Sequence, residues 1–366
     1  MGELRLMKGN EVLAEAAIRC GCDGYFGYPI TPQSEVMEML MERQPWDETG
    51  MVVLQAESEV AAINMVYGAA GSGKKVMTSS SSPGVSLMSE GISYIAGAEL
   101  PCLIVNVQRG GPGLGTIQPS QADYFQSVKG GGHGDYKMIV LAPSSVQEMN
   151  DFVDLAFDLA FKYRNPAMIL TDGAIGQMME KVELSDYKKR WTEEEVNEKN
   201  GSWATVGKPS TRERNVITSL ELDSARMEVN NKRFQEKYRR MEAEEQRYEA
   251  IHCDDAEYIF VAFGTSARVC EKAVEIARAK GIKVGLLRPI TLFPFPKDII
   301  KELAPRVKGF MSVEMNAGQM VEDVKLAVYE AGCNHRVEFF GRMGGIIPSP
   351  GEVVDALEQK LLKEEK

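Results

Sequence analysis

The stretch "YFGYPITPQSE", Tyr25–Glu35, begins as a short apolar strand and resumes as a helix, with Pro29 and Pro32 flanking Thr31. A plain turn needs one proline at most, because proline fixes φ and removes an N–H. Thr31 before Pro32 fits an N-cap followed by proline at the first helical position. Its hydroxyl also stands just past a strand end, where ligands bind in open parallel sheets.

Outward from this junction the same alternation repeats. Short aliphatic runs ending in Gly, Pro or Ser predict strands over Gly24–Ile30, Met51–Ala56, Lys75–Ser80, Cys102–Gln108, Met138–Ala142 and Ala167–Thr171. Helical spacing of Val12, Leu13, Ala16 and Ala17 predicts a helix over Asn10–Cys20, and Ser145 with Glu148 marks a capping box opening Ser145–Leu159. Ser82-Pro83 reads as a cap followed by proline. Strand–helix alternation of this kind predicts an α/β protein with mainly parallel sheets flanked by helices.

The pattern divides the 366 residues into two domains and a connection: 1–185, a charged helical linker over 186–254, and 255–366. The linker's long helix carries an intermittent stripe of Met227, Phe234, Tyr238, Met241 and Tyr248, which suits a solvated helix lying on a domain surface. The last third repeats strand, turn and amphipathic helix, beginning with "YIFVAFGTSARVCEKAVEIARAKG".

Composition narrows the function. A net charge of −11 argues against nucleic acid as the main partner, since phosphates need a basic surface. No apolar run approaches the ~20 residues of a membrane span. Met1 to Lys8 lacks a signal-peptide core, and Leu6 stands where a myristoylation site wants Ser or Thr; a cytoplasmic protein is expected. The six cysteines are scattered with no Cys-x-x-Cys, and the three histidines are isolated. That fits reduced thiols, and no zinc or iron–sulfur site on this chain.

The strand-end rule selects Thr31, Glu57 and Glu59, Ser79 to Ser82, Arg109 and Asp172. Arginine holds carboxylates through paired hydrogen bonds, which suits an organic acid. Each residue also has a plain structural use: Thr31 as a cap, Glu59 as a first-turn acid, Arg109 as a loop anchor. "RGGPGLG" at Arg109–Gly115 is not followed by a helix pattern, so it is a poor dinucleotide loop. "GAAGSGKK" at Gly68–Lys75 precedes a strand, so it reads as a helix-to-strand turn and not as a phosphate loop. "SSSSPG" lacks the hydrolase elbow pattern.

"GYPITPQSE", the run from Glu57 through "RGGPG", and "HGDYKMIVLAPSSVQE" together resemble the α subunit of the thiamine-diphosphate-dependent 2-oxoacid:ferredoxin oxidoreductases. The run "FVAFGTSARVCEKAVEIARAKGIKVGLLRPITLFPFP" resembles that subunit's transketolase C-terminal-like domain. "RGGPGLGTIQPSQADYFQ" is most similar to the branched-chain, 3-methyl-2-oxobutanoate (ketoisovalerate) type. The resemblance covers about Leu6–Val182 and Tyr258–Leu361. It implies a pyrimidine-binding fold, with Tyr28, Pro29, Ile30, Thr31 and Glu59 at the cofactor. Glu59 matches the glutamate that promotes the imino form of the pyrimidine ring, with Glu57 as the fallback. Thr31 and Arg109 match the residues that hold the substrate carboxylate.

The family's Gly-Asp-Gly…Asn diphosphate motif is missing. Gly134-Asp135 runs into Tyr136, and Asp172-Gly173 follows Thr171. The resemblance therefore implies that a β subunit supplies the diphosphate and Mg²⁺ site, that γ/δ-type partners supply iron–sulfur clusters, and that coenzyme A and ferredoxin complete the reaction. Three rivals remain open: a 2-oxoglutarate-type subunit, with Lys129 or Lys137 facing the second carboxylate; a non-catalytic scaffold; and a nicotinamide dehydrogenase, which would need a glycine fingerprint where "GYPITP" stands.

Overall fold

The computed structural model describes residues 3–363; Met1 and Gly2, which open the segment read as lacking a targeting signal, lie outside the described residues. The first sheet has seven strands in the order Thr291–Phe293, Ile139–Leu141, Pro166–Asp172, Cys102–Gln108, Val76–Ser80, Gly24–Gly27 and Val52–Gln55. Every pairing is parallel except that of Thr291–Phe293 with Ile139–Leu141. Its central strands, Cys102–Gln108 and Pro166–Asp172, are buried along their whole length, as parallel strands covered on both faces must be.

The second sheet orders Arg336–Gly341, Gly309–Glu314, Tyr258–Val261, Val284–Pro289 and Tyr248–Ile251, the last antiparallel. A two-stranded antiparallel ribbon joins Glu3–Lys8 to Met179–Leu184. The charged stretch over 186–254 is folded onto both sheets. Its helix Ser224–Glu244 buries Phe234, Tyr238 and Met241, while Met227 is exposed and Tyr248 belongs to a strand of the second sheet. The stripe therefore ends at Met241, where the helix ends shortly after.

The joint between the sheets is polar and buried. Gln121 is its hub: Nε2 donates to the Phe263 carbonyl (2.7 Å), Oε1 accepts Ser266 Oγ (2.7 Å) and Met315 N (3.1 Å), and its carbonyl accepts Asn316 Nδ2 (2.8 Å). Arg288 grips Glu148 through both Nη atoms at 2.7 and 2.8 Å. Glu148 also accepts Ser144 N, so only half of the expected capping box forms: Ser145 Oγ accepts Glu148 N, and the Glu148 carboxylate turns elsewhere. The larger of two apolar clusters runs from Val12 and Leu103 through Phe263 to Val324, so the two sheets share it, while the smaller, with Phe260, Leu286 and Met311, belongs to the second sheet. Among the described residues no helix is long and apolar enough to cross a membrane.

Candidate active site

The strand Gly24–Gly27 ends earlier than its apolar run predicts, because the next residues fold into a tight turn. Gln33 N donates to the Ile30 carbonyl (2.9 Å), and its Nε2 donates to the Tyr28 carbonyl (3.1 Å). Gln33 Oε1 accepts Ser79 Oγ at 2.6 Å, and Ser79 Oγ lies 2.8 Å from the Tyr25 hydroxyl. From outside, Asn10 Nδ2 and Gln177 Nε2 both donate to the Pro32 carbonyl (2.7 and 3.2 Å). Thr31 is therefore not the cap: the helix Ser34–Arg43 starts after Gln33, and Thr31 stays exposed on the turn. Tyr28, Pro29 and Ile30 form the same turn, with Pro29 exposed.

Arg109 directly follows the strand Cys102–Gln108 and is 7% exposed. Its Nη1 donates to the Thr31 carbonyl and its Nη2 to the Leu114 carbonyl, each at 2.9 Å. Its Nε is buried and unpartnered. Thr31 and Arg109 are thus brought together, through the threonine's backbone.

Glu59 opens the helix Glu59–Ala70, which Ser58 caps by accepting Ala61 N at 3.2 Å. It is 6% exposed, and among the described residues its carboxylate has no hydrogen bond or ion pair. Glu57, the fallback, is exposed. The Glu59 carboxylate lies against Gly84, where a Cβ would fall 2.7 Å from Oε1 and 2.0 Å from Ser80 Oγ. The hydroxyls of Ser80 and Ser81 are buried without partners.

One helix joins the parts. The helix Ser82–Gly97 has Ser81 as its N-cap, one residue before the position that the sequence suggests. Ser82 Oγ accepts Arg109 N at 3.0 Å, while Gly84 carries Glu59. Arg109 and Glu59 thus meet the same first turn, two residues apart. Its N-terminus adds a partial positive charge there.

Asp172 is the last residue of its strand but is diverted from this edge. Burial pushes its carboxyl up, and its Oδ1 accepts Ala174 N and Thr265 Oγ1 (2.9 and 2.8 Å), which ties the two sheets together. Cys20 and Cys22 are buried; burial pushes the Cys20 thiol up to about 12. Lys129 pairs with Asp323, and Lys137 donates to the Val128 carbonyl (3.2 Å). Both line a cavity with Leu292 and Phe293 that includes none of Thr31, Glu59 or Arg109. What sequence reading missed is the brace: Gln33, Asn10 and Gln177. Gln33 lay within the quoted motif, but a glutamine's partners are set by tertiary contacts.

Residues 15–252 match the family described as pyruvate flavodoxin/ferredoxin oxidoreductase, thiamine diphosphate-binding. Residues 256–353 match the pyruvate:ferredoxin oxidoreductase core domain II. The chain belongs to this oxidoreductase family. It is 52% identical over 97% of both chains to the ketoisovalerate oxidoreductase subunit VorB of Methanothermobacter thermautotrophicus. Identity to the 2-oxoglutarate synthase subunit KorA of Methanocaldococcus jannaschii is 36%, over 97% of this chain and 99% of that one. A 2-oxoglutarate:ferredoxin oxidoreductase structure from Magnetococcus marinus superposes with a TM-score of 0.84 at 26% identity, over 98% of this chain; this chain spans 65% of that one. A split-gene transketolase shares the fold alone, at a TM-score of 0.61 and 13% identity.

As a member of this oxidoreductase family, the chain is one subunit of a multi-subunit enzyme. The residues present fit the pyrimidine end of thiamine diphosphate: the Glu59 carboxylate, the unpartnered Ser80 hydroxyl and Gly84 meet at one point. Among the described residues no three His, Cys, Asp or Glu side chains are grouped to hold a metal ion.

Proposed function

We propose that this chain is the α subunit of a 2-oxoacid:ferredoxin oxidoreductase that acts on 3-methyl-2-oxobutanoate. With coenzyme A and oxidised ferredoxin, the enzyme would yield the acyl-CoA, carbon dioxide and reduced ferredoxin. The observation that carries the reading is the Glu59 side chain, 6% exposed and without a partner among the described residues, set against the helix turn that also fixes Arg109.

When bound, thiamine diphosphate supplies an electron sink for breaking the bond between the oxoacid's carboxylate and its carbonyl carbon. Glu59, with Ser80 beside it, would hold the pyrimidine end. Its Oε1 would sit where a proton can be shared with the ring nitrogen. Arg109 presents a guanidinium whose position is fixed by two carbonyls, so orienting the substrate carboxylate costs little side-chain entropy. Thr31 offers its exposed hydroxyl at the same place. A β subunit would cover this face and bring the diphosphate and Mg²⁺ site, and γ/δ-type partners the iron–sulfur clusters. The 2-oxoglutarate alternative has weaker support, since its expected cations Lys129 and Lys137 are engaged elsewhere.

The test is coenzyme-A-dependent reduction of a viologen dye by the co-expressed complex, without oxygen. The complex should prefer 3-methyl-2-oxobutanoate to pyruvate and 2-oxoglutarate. Glu59→Gln should lower turnover by roughly a hundredfold or more. Full activity in that variant sinks the assignment of Glu59 and revives the scaffold reading.

A further inference from the structure

The loop that follows Arg109 is closed on itself. Gly110 N donates to the Gln118 carbonyl (2.9 Å), Thr116 N donates to the Gly110 carbonyl (2.8 Å), and Arg109 forms an isolated bridge with Pro119. The crossing needs glycine. Gly115 has φ of +60°, and a Cβ there would fall 1.9 Å from the Gly110 oxygen. Gly113, with φ of +70°, makes the other bend. Leu114 stands between these two glycines at the tip.

Leu114 is 83% exposed, although its backbone is fastened at the site: its carbonyl is the group that Arg109 Nη2 binds. Ile117 on the same loop is 56% exposed. The Cβ position of Gly173 is 3.7 Å from the Ile117 oxygen and 3.1 Å from Pro32 Cγ, so this side of the loop faces the Thr31–Pro32 turn. From Gly110 to Gln118 the loop carries no charged side chain. Single exposed leucines are ordinary. Here the exposed leucine sits on a glycine-locked loop, tied by its own backbone to the guanidinium assigned to the substrate carboxylate.

We infer that Leu114, backed by Ile117, is a specificity-determining residue: it meets the substrate's side chain and favours a branched aliphatic 2-oxoacid over a dicarboxylic one. The inference rests on the reading of Arg109 as the carboxylate holder. Once that end is fixed, the other end of a five-carbon oxoacid extends a few ångströms away, about the reach from the guanidinium to the leucine attached to its partner carbonyl. Methyl groups gain from leaving water against Leu114. A second carboxylate brought against Leu114 would meet a loop, Gly110–Gln118, that carries no cation of its own.

The experiment uses the complete complex with Leu114→Ala and Leu114→Lys, and measures kcat/KM for 3-methyl-2-oxobutanoate, pyruvate and 2-oxoglutarate. Leu114→Ala should cost the branched acid about tenfold and pyruvate little, in line with the discrimination that apolar pockets achieve. Leu114→Lys should raise the 2-oxoglutarate to branched-acid ratio by roughly a hundredfold. Equal losses on all three acids, or release of a subunit on size exclusion, would overturn the inference, because Leu114 would then pack a partner or only hold the loop. An active parent with unchanged ratios in both variants overturns this inference alone. A parent complex inert toward all three acids overturns the oxoacid reading, and this assignment with it.

Discussion

Glu59 and Gly84 set the chemistry at the scale of single residues. The Glu59 side chain is 6% exposed and its carboxylate has no hydrogen bond or ion pair among the described residues, so changing it to an amide breaks no bond within the chain. Glu59→Gln should therefore leave the melting temperature of the complex unchanged or slightly raised while turnover collapses. Gly84 has a narrower duty. Any Cβ there runs into Ser80 Oγ and Glu59 Oε1, at 2.0 and 2.7 Å. Gly84→Ala must push the carboxylate off its place or shift the helix. Overpacking of this kind costs about 1–3 kcal/mol, and a misplaced carboxylate costs more in rate than in binding. The expected result is a kcat at least tenfold lower with a KM within a few-fold of the parent; a parent-like kcat would show that Glu59 has room to move.

At the scale of elements, the Tyr28–Gln33 turn is braced by a glutamine whose amide is satisfied at both ends, by the Tyr28 carbonyl and the Ser79 hydroxyl. Gln33→Leu keeps the volume and removes both bonds; the Ser79 hydroxyl keeps Tyr25, so the Tyr28 carbonyl is the group left without its donor. Such a group costs about 1–3 kcal/mol. The turn should loosen, carry Thr31 and its contact to Arg109 with it, and raise KM for the oxoacid severalfold, with a smaller change in kcat. Steady-state kinetics with a thermal melt would check this; a stable variant with an unchanged KM would separate the brace from the site. The same turn shows what the sequence could convey. Aliphatic runs such as Cys102–Gln108 announced their strands, because burial on both faces leaves a continuous apolar signature. Gly24–Ile30 was overextended by three residues, since Tyr28 and Ile30 look strand-like while their carbonyls are claimed by Gln33. Thr31 looked like a cap because capping is a local rule, yet its position is set by Arg109, 78 residues away. Asp172 passed the strand-end test and still left the site, since Thr265 binds it from the other sheet. Glu59 came from the strand-end rule and its proposed role from the family resemblance; its burial against Gly84 was in neither.

At the scale of the whole molecule, the charged helix Ser224–Glu244 is more than a connection, and Lys237 gives its packing a pH signature. Lys237 Nζ donates to Glu99 Oε1 and to the Arg164 carbonyl, both at 3.2 Å, with a side chain only 9% exposed. Arg233 already binds the other Glu99 oxygen at 2.8 Å. Phe234 and Tyr238 pack their rings within 5.5 Å of the ammonium group. Burial pushes the ammonium down to about 8, Glu99 opposes that shift, and Arg164 and Arg233 add to it. In the unfolded chain a lysine stays protonated to about 10.4. Between pH 8 and 10 the unfolded state therefore binds more protons than the native one, and this group's contribution makes stability rise with pH. Below pH 8 the native state bears the full cost of a buried charge, on the order of 1–3 kcal/mol. Lys237→Met removes that cost and leaves Glu99 paired to Arg233. The variant should be more stable than the parent at pH 7 by about 1 kcal/mol, after the two lost hydrogen bonds are allowed for. The gap should close as pH approaches 10. Urea midpoints at pH 7, 8, 9 and 10 would read it directly. A gap that stays constant over that range would mean that the helix docks through Phe234, Tyr238 and Met241 alone, with the ammonium effectively solvated.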